Sequence, residues 1–520
     1  MADPFYLTTA INYPNGPPHI GHAYEAVAAD VVARFQRSTG RDVFFQTGTD
    51  EHGLKMAQAA REKGLSPADL ADEMSSIFRT MDEKLDISFD RFIRTTEPAH
   101  HRASQAIWEA MAERGDLYLG RYEGWYSVRD EAYYDEGELA PGDNGERLSP
   151  QGTPVEWTVE ESWFFRLSAY QDRLLAHYSE NPGFIRPESR RNEVLRFVEG
   201  GLSDLSVSRT SFDWGVKVPG DERHVMYVWL DALTNYLTGV GYPDTQSETY
   251  RRFWPADLHI IGKDVVRFHA VYWPAFLMSA GLPLPRQVFG HGHVLLRGEK
   301  MSKSAGNVVD PAGLIEVFGA DAVRYFLMRD VTFGQDGSYS PEAIVARVNA
   351  DLANSFGNLA QRTLSFIAKN CGGALPLGGR GEEADSGLLG LVRRTTAADV
   401  PALFGDLALS QGIEAWIKAV FACNQYIDAQ APWTLRKTDP ERMTAVLACL
   451  CEAIIDLAIA ISPVVPAAAA KLLDQLGVPA GERDFTSLTD SGRYARLAGS
   501  GFVLAPPAPI FPRLELPAEA

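Results

Sequence analysis

Short apolar runs alternate with helical stretches over roughly the first 115 residues, and this alternation limits the possible folds more than any other feature of the chain. Residues 5–11 and 43–49 are strand-like, whereas residues 19–38 and 53–63 place apolar side chains at helical spacing. Strands that alternate with helices predict a parallel sheet with helices packed on its faces. The first part of the chain is therefore predicted to be α/β.

The α/β pattern stops near residue 116 and resumes near residue 224. Residues 120–157 are rich in Tyr, Glu, Asp and Gly, which is typical of an irregular or antiparallel insertion. The pattern then continues as a helix, a strand, a helix and a strand over residues 224–240, 258–262, 264–280 and 288–296. We therefore predict a Rossmann-like parallel sheet in two halves, 1–115 and 224–295, split by an insertion over 116–223.

After Ser340 and Pro341 the chain becomes almost entirely helical. Residues 341–370 predict one helix of about 45 Å, at ~1.5 Å per residue. Further helices are expected near residues 385–404, 409–429, 440–461 and 464–476. We predict a connecting region over 296–340, an α-helical bundle over 341–520, and a proline-rich tail from Phe502 that lies back on the protein.

The ends of the chain and its cysteines point to a cytoplasmic protein. No uncharged apolar run of about 18 residues occurs, and the first residues do not form a secretory leader, so we expect no membrane partner. The four cysteines are Cys371, Cys423, Cys449 and Cys451. So few in a long chain favour a reducing compartment, and we predict packed free thiols over metal ligands.

Two short motifs carry candidate chemistry. The loop after the first strand leads into His19-Ile20-Gly21-His22 at a helix start, where free backbone N–H groups and the positive end of the helix dipole favour an anion. His19 and His22 can share one helix face, and Gly21 lets a planar group approach the backbone. The alternative is that both histidines only cap the helix.

The second motif, Lys300-Met301-Ser302-Lys303-Ser304, lies just after the last predicted strand of the sheet. A loop with two lysines between small hydroxyl residues can neutralise charge that develops on a leaving pyrophosphate. By itself, such a loop is also compatible with an ordinary solvated surface.

Together, the two motifs resemble the HIGH and KMSKS signature pair of the class I aminoacyl-tRNA synthetases. In detail the chain resembles the methionyl-tRNA synthetase family over essentially its full length. The diagnostic strings are TAINYPNG from Thr9, TGTDEHG from Thr47, VWLDA from Val228 and IGKD from Ile261. The resemblance implies ATP-dependent ligation of L-methionine to tRNA(Met), initiator and elongator, through a methionyl-adenylate, with release of AMP and pyrophosphate.

The resemblance also assigns residues to methionine. Asp50 would bind the α-ammonium group, although such a carboxylate could also cap the next helix. The expected pocket residues are Ile11, Tyr13, Trp229, Ala232, Leu233, Tyr236, Val265 and His269. Four of them fall on one helix face, which without the resemblance is more typical of core. Aromatic rings suit a thioether, and His269 or Tyr13 could hydrogen-bond its sulfur.

For the nucleotide, the resemblance places Gly21, His22, Glu25 and Lys303 at ATP, which would arrive with Mg²⁺. Gly262 and Asp264 would hold the ribose, and the backbone near Val294 would face adenine. The groups expected to stabilise the reacting α-phosphate and the departing pyrophosphate are His19, His22, Lys300 and Lys303.

For tRNA, the resemblance implies a KMSKS and stem-contact region over 296–340 and an anticodon-binding domain over 341–520. Asn358 and Arg362 can share one helix face and offer donors to splayed bases, and Trp433 would stack on a base. The alternative for Trp433 is packing within the bundle. The net charge of −19 disfavours indiscriminate binding of polyanions. Residues 286–304, however, contain only one acidic residue, Glu299, and four basic ones, Arg286, Arg297, Lys300 and Lys303. A local basic stretch on an acidic protein favours specific, salt-sensitive binding of one class of RNA.

One departure from the family concerns zinc. Many members carry zinc-binding cysteine pairs in the insertion, but here the aligned residues 125–131 read WYSVRDE and the first cysteine is Cys371. We therefore predict no structural zinc and an insertion that its aromatic residues hold together. The chain also stops soon after the bundle, without the domain through which some relatives dimerise, so we expect a monomer.

Two alternatives remain at this point. Other class I synthetases share the plan, but those for isoleucine, valine and leucine carry a larger editing insertion, and the cysteine enzyme uses zinc ligands absent here. A catalytically silent tRNA-binding paralogue is the second alternative. Such a binder has no use for a pyrophosphate-stabilising loop, so the intact motifs argue against it.

Overall fold

The computed structural model describes residues 2–130, 132–142, 145–299, 309–379 and 381–516. The first part of the chain has the predicted alternation. Its strands are β1 (Pro4–Thr9), β2 (Asp42–Thr49) and β3 (Arg91–Arg94). Its helices are α1 (Ile20–Ser38), α2 (Leu54–Lys63), α3 (Pro67–Lys84) and α4 (Pro98–Glu113).

The next region is mainly antiparallel, as its composition predicts. Its strands are β4 (Leu117–Ser127), β5 (Ala132–Tyr134), β6 (Ala140–Pro141), β7 (Arg147–Leu148), β8 (Glu156–Phe165), β9 (Ile185–Arg186), β10 (Leu205–Ser206), β11 (Ser208–Arg209), β12 (Lys217–Val218) and β13 (Asp221–Met226). Its helices are α5 (Gln171–Glu180) and α6 (Glu188–Glu199). The antiparallel pair of β4 and β8 is the long ribbon of this region.

The α/β pattern then resumes. The elements are α7 (Val228–Thr238), α8 (Glu248–Phe253), β14 (Leu258–Gly262), α9 (Trp273–Ala280), β15 (Val288–His291), β16 (Val294–Leu296), α10 (Pro311–Phe318), α11 (Ala320–Asp330) and β17 (Gly337–Tyr339). The main sheet of the described residues is parallel throughout, in the order β3-β2-β1-β14-β15-β9. Both predicted halves contribute strands, and β9 from the insertion completes one edge.

Three local predictions in this region differ from the structure in detail. The helix expected from residue 224 begins at Val228, because the preceding residues belong to β13. The strand expected over 288–296 is broken in two, and β16 pairs with β17 outside the main sheet. The break lies at Gly292, where a Cβ would come within 2.2 Å of the Gln335 backbone. The helix expected from Asp264 starts with a 3₁₀ turn and a π-helical segment, Phe268–Tyr272, before α9.

The C-terminal part is the predicted helical bundle. Its helices are α12 (Pro341–Val348), α13 (Asn358–Asn370), α14 (Glu383–Arg394), α15 (Val400–Gly405), α16 (Leu409–Gln430), α17 (Pro432–Thr438), α18 (Pro440–Ile461), α19 (Pro466–Gln475) and α20 (Arg493–Gly499). The helix predicted over 341–370 has these bounds, and it consists of α12 and α13 joined without a break by a π-helical segment, Asn349–Gly357. The tail returns to the bundle, where Leu514 exchanges two hydrogen bonds with the Asn349 side chain.

Helix α18 is the central helix of the bundle. By length and composition it could cross a membrane, with a mean hydropathy of 2.2 in its most apolar stretch, but 89% of that stretch is buried inside the protein. It packs against α14, α16 and α17, which precede it in the chain. One hydrophobic core continues from the first-half sheet through this helix, so the bundle and the sheet are packed as one unit.

Candidate active site

Several predicted site residues of the catalytic region lie at or just after the carboxyl ends of the central strands. The strand order changes direction between β1 and β14, and α/β proteins bind ligands at such a point. Helix α1 starts after β1, Asp50 follows β2, and Asp264 follows β14. The sheet therefore gathers, at one edge, residues that lie more than 200 positions apart in the chain.

The start of α1 is closed by the two histidines of the first motif. Nδ1 of His19 accepts a hydrogen bond from the Gly21 N–H at 3.1 Å, and Nδ1 of His22 accepts one from the His19 N–H at 3.0 Å. The two rings stack, with centroids 3.8 Å apart. Because each Nδ1 is an acceptor, the ring proton of each neutral histidine lies on Nε2. The histidines thus cap the helix and also keep a fixed Nε2–H donor each.

Gly21 is required by this arrangement. A Cβ at this position would come within 2.9 Å of Cε1 and 3.0 Å of Nδ1 in the His19 ring. The planar group that approaches the glycine backbone is therefore the neighbouring imidazole of the motif itself.

Three of the predicted methionine residues, Trp229, Tyr236 and His269, lie in one aromatic cluster. Trp229 stacks on Phe268, with centroids 3.8 Å apart and planes 4° from parallel. On the same face of α7, Ala232, Leu233 and Tyr236 are buried, as its helical spacing predicts. The π-helical segment before α9 carries both Phe268 and His269 to this face. Ile11, Tyr13 and Val265 are half-buried.

The hydrogen bonds of His269 differ from the sequence-based expectation. Its Nδ1 lies 2.9 Å from the Val265 carbonyl oxygen, so Nδ1 carries the proton and Nε2 accepts from the Tyr236 hydroxyl at 2.7 Å. Burial lowers the pKa of His269 to about 4, although the bond to the Val265 carbonyl opposes this shift. The Tyr13 hydroxyl donates to the His52 carbonyl oxygen at 2.7 Å. Both donors expected for a thioether sulfur are therefore engaged within the protein.

Asp50 lies in a buried loop beside this cluster. Its N–H donates to the Asn12 carbonyl oxygen at 2.8 Å, which ties the loop to the chain that leaves β1. The next residue, Glu51, is fully buried and accepts two hydrogen bonds from the Arg94 guanidinium, at 2.6 and 3.0 Å. These bonds hold Asp50 in a fixed position near the end of β2.

The predicted nucleotide residues include two carboxylates with histidine partners that the sequence analysis missed. Glu25 accepts from the Ala10 N–H at 3.0 Å, and its other oxygen lies 2.7 Å from Nε2 of His291. Asp264 lies 2.8 Å from Nε2 of His293. The alternating string GHGH from Gly290, which begins in the last two residues of β15, was the signal for these two histidines. Val294, which follows it, is buried in β16, and Gly262 is half-buried at the end of β14.

None of the five residues of the second motif is among the residues that the structure describes. Lys300 and Lys303 lie outside the described residues. Two other members of the predicted basic stretch, Arg286 and Arg297, are paired with Asp257 and Glu342, each at 3.1 Å. Their charges are therefore already matched by carboxylates.

Two of the predicted anticodon residues, Arg362 and Trp433, lie together on the bundle, and the third, Asn358, is exposed at the first position of α13. Trp433 is 43% exposed at the start of α17, and the Arg362 guanidinium lies 5.4 Å from its ring centroid while bonding Asp428 at 2.7 Å. Beside them is a cavity of about 240 Å³. Its lining includes Phe366 and Lys369 from α13. The exposed indole excludes the alternative of a tryptophan packed inside the bundle.

Within the described part of the chain, no cluster of three or more His, Cys, Asp or Glu side chains has the geometry to hold a metal ion. The four cysteines are free thiols, and three of them are buried, as predicted.

Comparison with known proteins decides the family. The family described as tRNA synthetases class I (M) matches residues 5–364, and the anticodon-binding domain of methionyl tRNA ligase matches residues 402–515. The methionine–tRNA ligase of Brucella suis biovar 1 is 58% identical over 509 residues, 98% of each chain. The chain belongs to the methionyl-tRNA synthetase family.

Solved structures of methionyl-tRNA synthetases have the same fold. The Mycobacterium tuberculosis enzyme in complex with methionyl-adenylate superimposes with a TM-score of 0.95 at 55% identity, covering 98% of this chain and 100% of that one. Its apo form gives a TM-score of 0.89 at 51% identity, covering 99% of each chain. Membership of the methionyl-tRNA synthetase family confirms the predicted fold class and excludes the other class I synthetases considered above.

Proposed function

We propose that this chain ligates L-methionine to tRNA(Met) with ATP, through a methionyl-adenylate intermediate. The observation that carries the proposal is the convergence of two subsites at one edge of the parallel sheet. One subsite is the aromatic cluster around His269, and the other is the capped helix start at His19 and His22. The carboxylate of a methionine bound between the two subsites would lie next to the position of the α-phosphate of ATP.

In the first step, a carboxylate oxygen of methionine attacks the α-phosphorus of ATP, and the bond to pyrophosphate breaks. The start of α1 directs backbone N–H groups and the two Nε2–H donors toward the negative charge that develops. Lys300 and Lys303 supply positive charge to the departing pyrophosphate. In the second step, the 2′-hydroxyl of the terminal tRNA adenosine attacks the adenylate carbonyl carbon, and AMP leaves.

The binding roles follow the positions of the side chains. Asp50 binds the α-ammonium group, and the α7 face with His269 surrounds the thioether, whose recognition rests on shape and aromatic contact because His269 donates to Val265. Glu25 and Asp264 bind the nucleotide, with Gly262 at the ribose and Val294 at adenine. Mg²⁺ enters with ATP, since it is usually held by substrate phosphates and water.

For the tRNA substrate, the residues that read the anticodon of initiator and elongator tRNA(Met) are Asn358, Arg362 and Trp433. The exposed indole of Trp433, supported by Arg362, offers a surface on which a base can stack. We further propose that the protein works as a monomer in the cytoplasm, where its tRNA substrate is charged.

The test is ATP–pyrophosphate exchange measured with each of the 20 amino acids. We expect exchange to be fastest with methionine among the 20 amino acids. Exchange that depends on leucine, or no exchange with any amino acid, would contradict the proposal, and the second outcome would favour a tRNA-binding paralogue without activity.

A pair of variants tests the division of labour between the two regions. Lys303→Ala should suppress exchange and leave tRNA affinity nearly unchanged. Trp433→Ala should do the opposite, with tRNA affinity lowered about tenfold by the loss of one stacking contact. If both variants lost exchange and tRNA affinity to the same degree, the assignment of the two regions would be wrong.

A further inference from the structure

Two of the diagnostic strings each contain a buried polar residue to which no role has been assigned above. His52 belongs to the string from Thr47, and Asp231 belongs to the string from Val228. They are 179 positions apart, but Nδ1 of His52 lies 2.7 Å from Oδ2 of Asp231. Both side chains are buried. A hydrogen bond with an ionised partner is strong where water is excluded, so this contact fixes the two segments tightly.

The second oxygen of Asp231 has its own histidine partner. Oδ1 lies 2.6 Å from Nε2 of His100 in α4, and Nδ1 of His100 lies 2.9 Å from the Thr238 hydroxyl. Burial alone would raise the pKa of Asp231, but the two histidines outweigh this effect and hold it below its ordinary range. Asp231 is therefore a carboxylate at neutral pH, with both oxygens engaged.

On the His52 side, the contact adjoins the loop that carries Asp50, the residue proposed to bind the α-ammonium group. His52 comes two residues after Asp50, and its carbonyl oxygen accepts the Tyr13 hydroxyl at 2.7 Å. The indole of Trp214 covers this segment, with its ring centroid 5.4 Å from that of His52 and its Nε1–H bonded to the Glu51 carbonyl oxygen at 2.6 Å. The loop after β2 is thus held from both sides.

On the Asp231 side, the contact controls the side-chain subsite. Asp231 lies within the first turn of α7, two residues from Trp229 and next to Ala232. The opposite ends of one bound methionine would therefore contact two segments that meet at this buried pair. A second buried contact joins β2 to α7 farther from the loop, where the Gln46 amide donates to the backbone and side-chain oxygens of Asn235 at 3.0 and 2.7 Å. The segments come from the two halves of the split sheet, and local chain geometry alone does not set their distance.

We propose that His52 and Asp231 are positioning residues that set the spacing between the α-ammonium subsite and the side-chain subsite, and thereby the length of amino acid that the pocket accepts. This inference rests on the proposed function, because it assigns the two subsites to methionine. The positioning role of His52 and Asp231 differs from a purely structural role in one respect. A structural role predicts lower stability, whereas a positioning role predicts altered recognition of amino-acid length.

The experiment uses the full-length protein and three amino acids in ATP–pyrophosphate exchange. L-Norleucine replaces the sulfur of methionine by a methylene group and keeps the chain length, whereas L-ethionine is one methylene longer. For Asp231→Asn we expect the KM for methionine to rise about tenfold. The KM for ATP should change less than about twofold, since its subsite lies on other elements.

The discrimination between the amino acids is the decisive readout. One extra methylene in a hydrophobic pocket typically changes kcat/KM by about 10–200-fold. We expect Asp231→Asn to lower the discrimination against ethionine about fivefold or more, as the pocket loses its fixed length. Discrimination against norleucine should stay unchanged, because the groups around the thioether are intact.

Two further variants control for stability. His52→Gln removes the same contact from the other side and carries the same test if Asp231→Asn does not fold. His224→Gln is the matched control, because His224 is also buried and hydrogen-bonded, to the Ser208 hydroxyl at 2.8 Å, but in the sheet of β11 and β13. It should lower the melting temperature and leave ethionine discrimination unchanged.

The outcomes separate this inference from the proposed function. Methionine-dependent exchange by the wild type, together with unchanged ethionine discrimination in a folded Asp231→Asn or His52→Gln variant, would overturn the inference alone. Absence of methionine-dependent exchange in the wild type would overturn the proposed function itself. Equal loss of discrimination in His224→Gln would also overturn the inference, since the effect would then follow general destabilisation.

Discussion

At the scale of single residues, the start of α1 shows how two histidines can cap a helix and keep an Nε2–H donor each. Each imidazole gives its Nδ1 lone pair to a backbone N–H, so the orientation of its Nε2–H is set by the backbone. A lysine in the same place would bring charge on a flexible stem, without a donor of fixed direction. The capping role that the sequence offered as an alternative is therefore present in the structure, and it is compatible with the phosphate-stabilising role proposed above.

Gly21→Ala tests this arrangement. The added Cβ would come within 2.9 Å of the His19 ring, so the ring must turn and lose its bond to the Gly21 N–H. We expect kcat of pyrophosphate exchange to fall at least about tenfold, with a stability loss near 1 kcal/mol. The measurement is exchange kinetics together with urea unfolding.

Gly390→Ala is the matched control for that substitution. Gly390 lies inside α14, where a Cβ would meet no atom within 4 Å. Alanine should stabilise the helix by about 0.5–1 kcal/mol and leave exchange unchanged. Normal exchange in Gly21→Ala would show that the His19 cap does not matter for activity.

His269 gives a pH prediction with a defined sign. Its pKa is about 4 in the folded protein and 6.5 for an ordinary histidine, because burial disfavours its charged form. Between these two values the unfolded chain binds a proton that the folded protein does not, so stability falls as the pH falls, by about 1.4 kcal/mol per unit.

The prediction compares wild type with His269→Gln in urea unfolding at pH 7.5 and pH 5. The wild type should lose about 2 kcal/mol more than the variant on acidification, as the glutamine does not titrate. Other histidines titrate equally in both proteins and cancel in the difference. An identical pH dependence of the two proteins would mean that His269 is charged in the folded state.

At the scale of elements, the insertion is held together without cysteines. Many members of the family carry zinc-binding cysteine pairs in this region. Oδ2 of Asp130 accepts hydrogen bonds from Tyr134, Ser149 and Thr153 at 3.0, 2.7 and 2.5 Å. Nearby, the Arg209 guanidinium lies 4.4 Å from the Tyr133 ring centroid. Hydrogen bonds and ring contacts thus fix the turn and the strands of this region, and the aromatic residues predicted to do so act together with a carboxylate.

The corresponding prediction concerns metal content. Purified protein treated with a chelator should contain far less than one zinc per chain, and its melting temperature should not change with the chelator, because the Asp130 contacts need no ion. Mass spectrometry for metals and calorimetry provide the two measurements. Stoichiometric zinc after chelation, or a lower melting temperature in chelator, would contradict the prediction.

The elements that sequence predicts well are those set by local pattern. The helix α1 and the strand β2 were expected within one residue of their bounds, because apolar spacing and caps define them. The π-helical segment Phe268–Tyr272 was missed, since its sequence has ordinary helical spacing and only tertiary packing selects the wider turn. The contact of His52 with Asp231 was missed for a similar reason, because it depends on how the two halves of the sheet meet.

At the scale of the whole molecule, one buried arginine joins the catalytic sheet to the helical bundle. Arg324 in α11 bonds Asp30 of α1 at 2.7 Å, and both side chains are fully buried. Its guanidinium also donates to the carbonyl oxygens of Leu85, Pro463 and Val464, at 3.0, 2.8 and 3.0 Å. The helix that carries the first motif is thereby tied to the turn after α18.

Arg324→Met tests the importance of this link. Removal of the guanidinium leaves the Asp30 carboxylate buried with less compensation, which typically costs about 3–5 kcal/mol. We expect a loss of this size in urea unfolding and, because the bundle loosens against α1, a larger loss of tRNA charging than of pyrophosphate exchange.

The exposed pair of Arg79 and Glu83, 3.2 Å apart on α3, provides the control. Arg79→Met should change stability by less than about 1 kcal/mol, as solvent screens such a pair. If both methionine variants had the same small effect on stability, the buried pair would not hold the two regions together.

The apolar helix α18 has a consequence for synthesis of the chain. A newly made segment of this hydropathy, free of partners, is a target for aggregation or for the machinery that inserts proteins into membranes. Helices α14, α16 and α17 precede α18 in the chain and leave the ribosome first. The surface against which α18 packs is therefore already available when α18 emerges. The order of the helices along the chain therefore protects the nascent protein, and a circular permutant that begins with α18 should aggregate during translation.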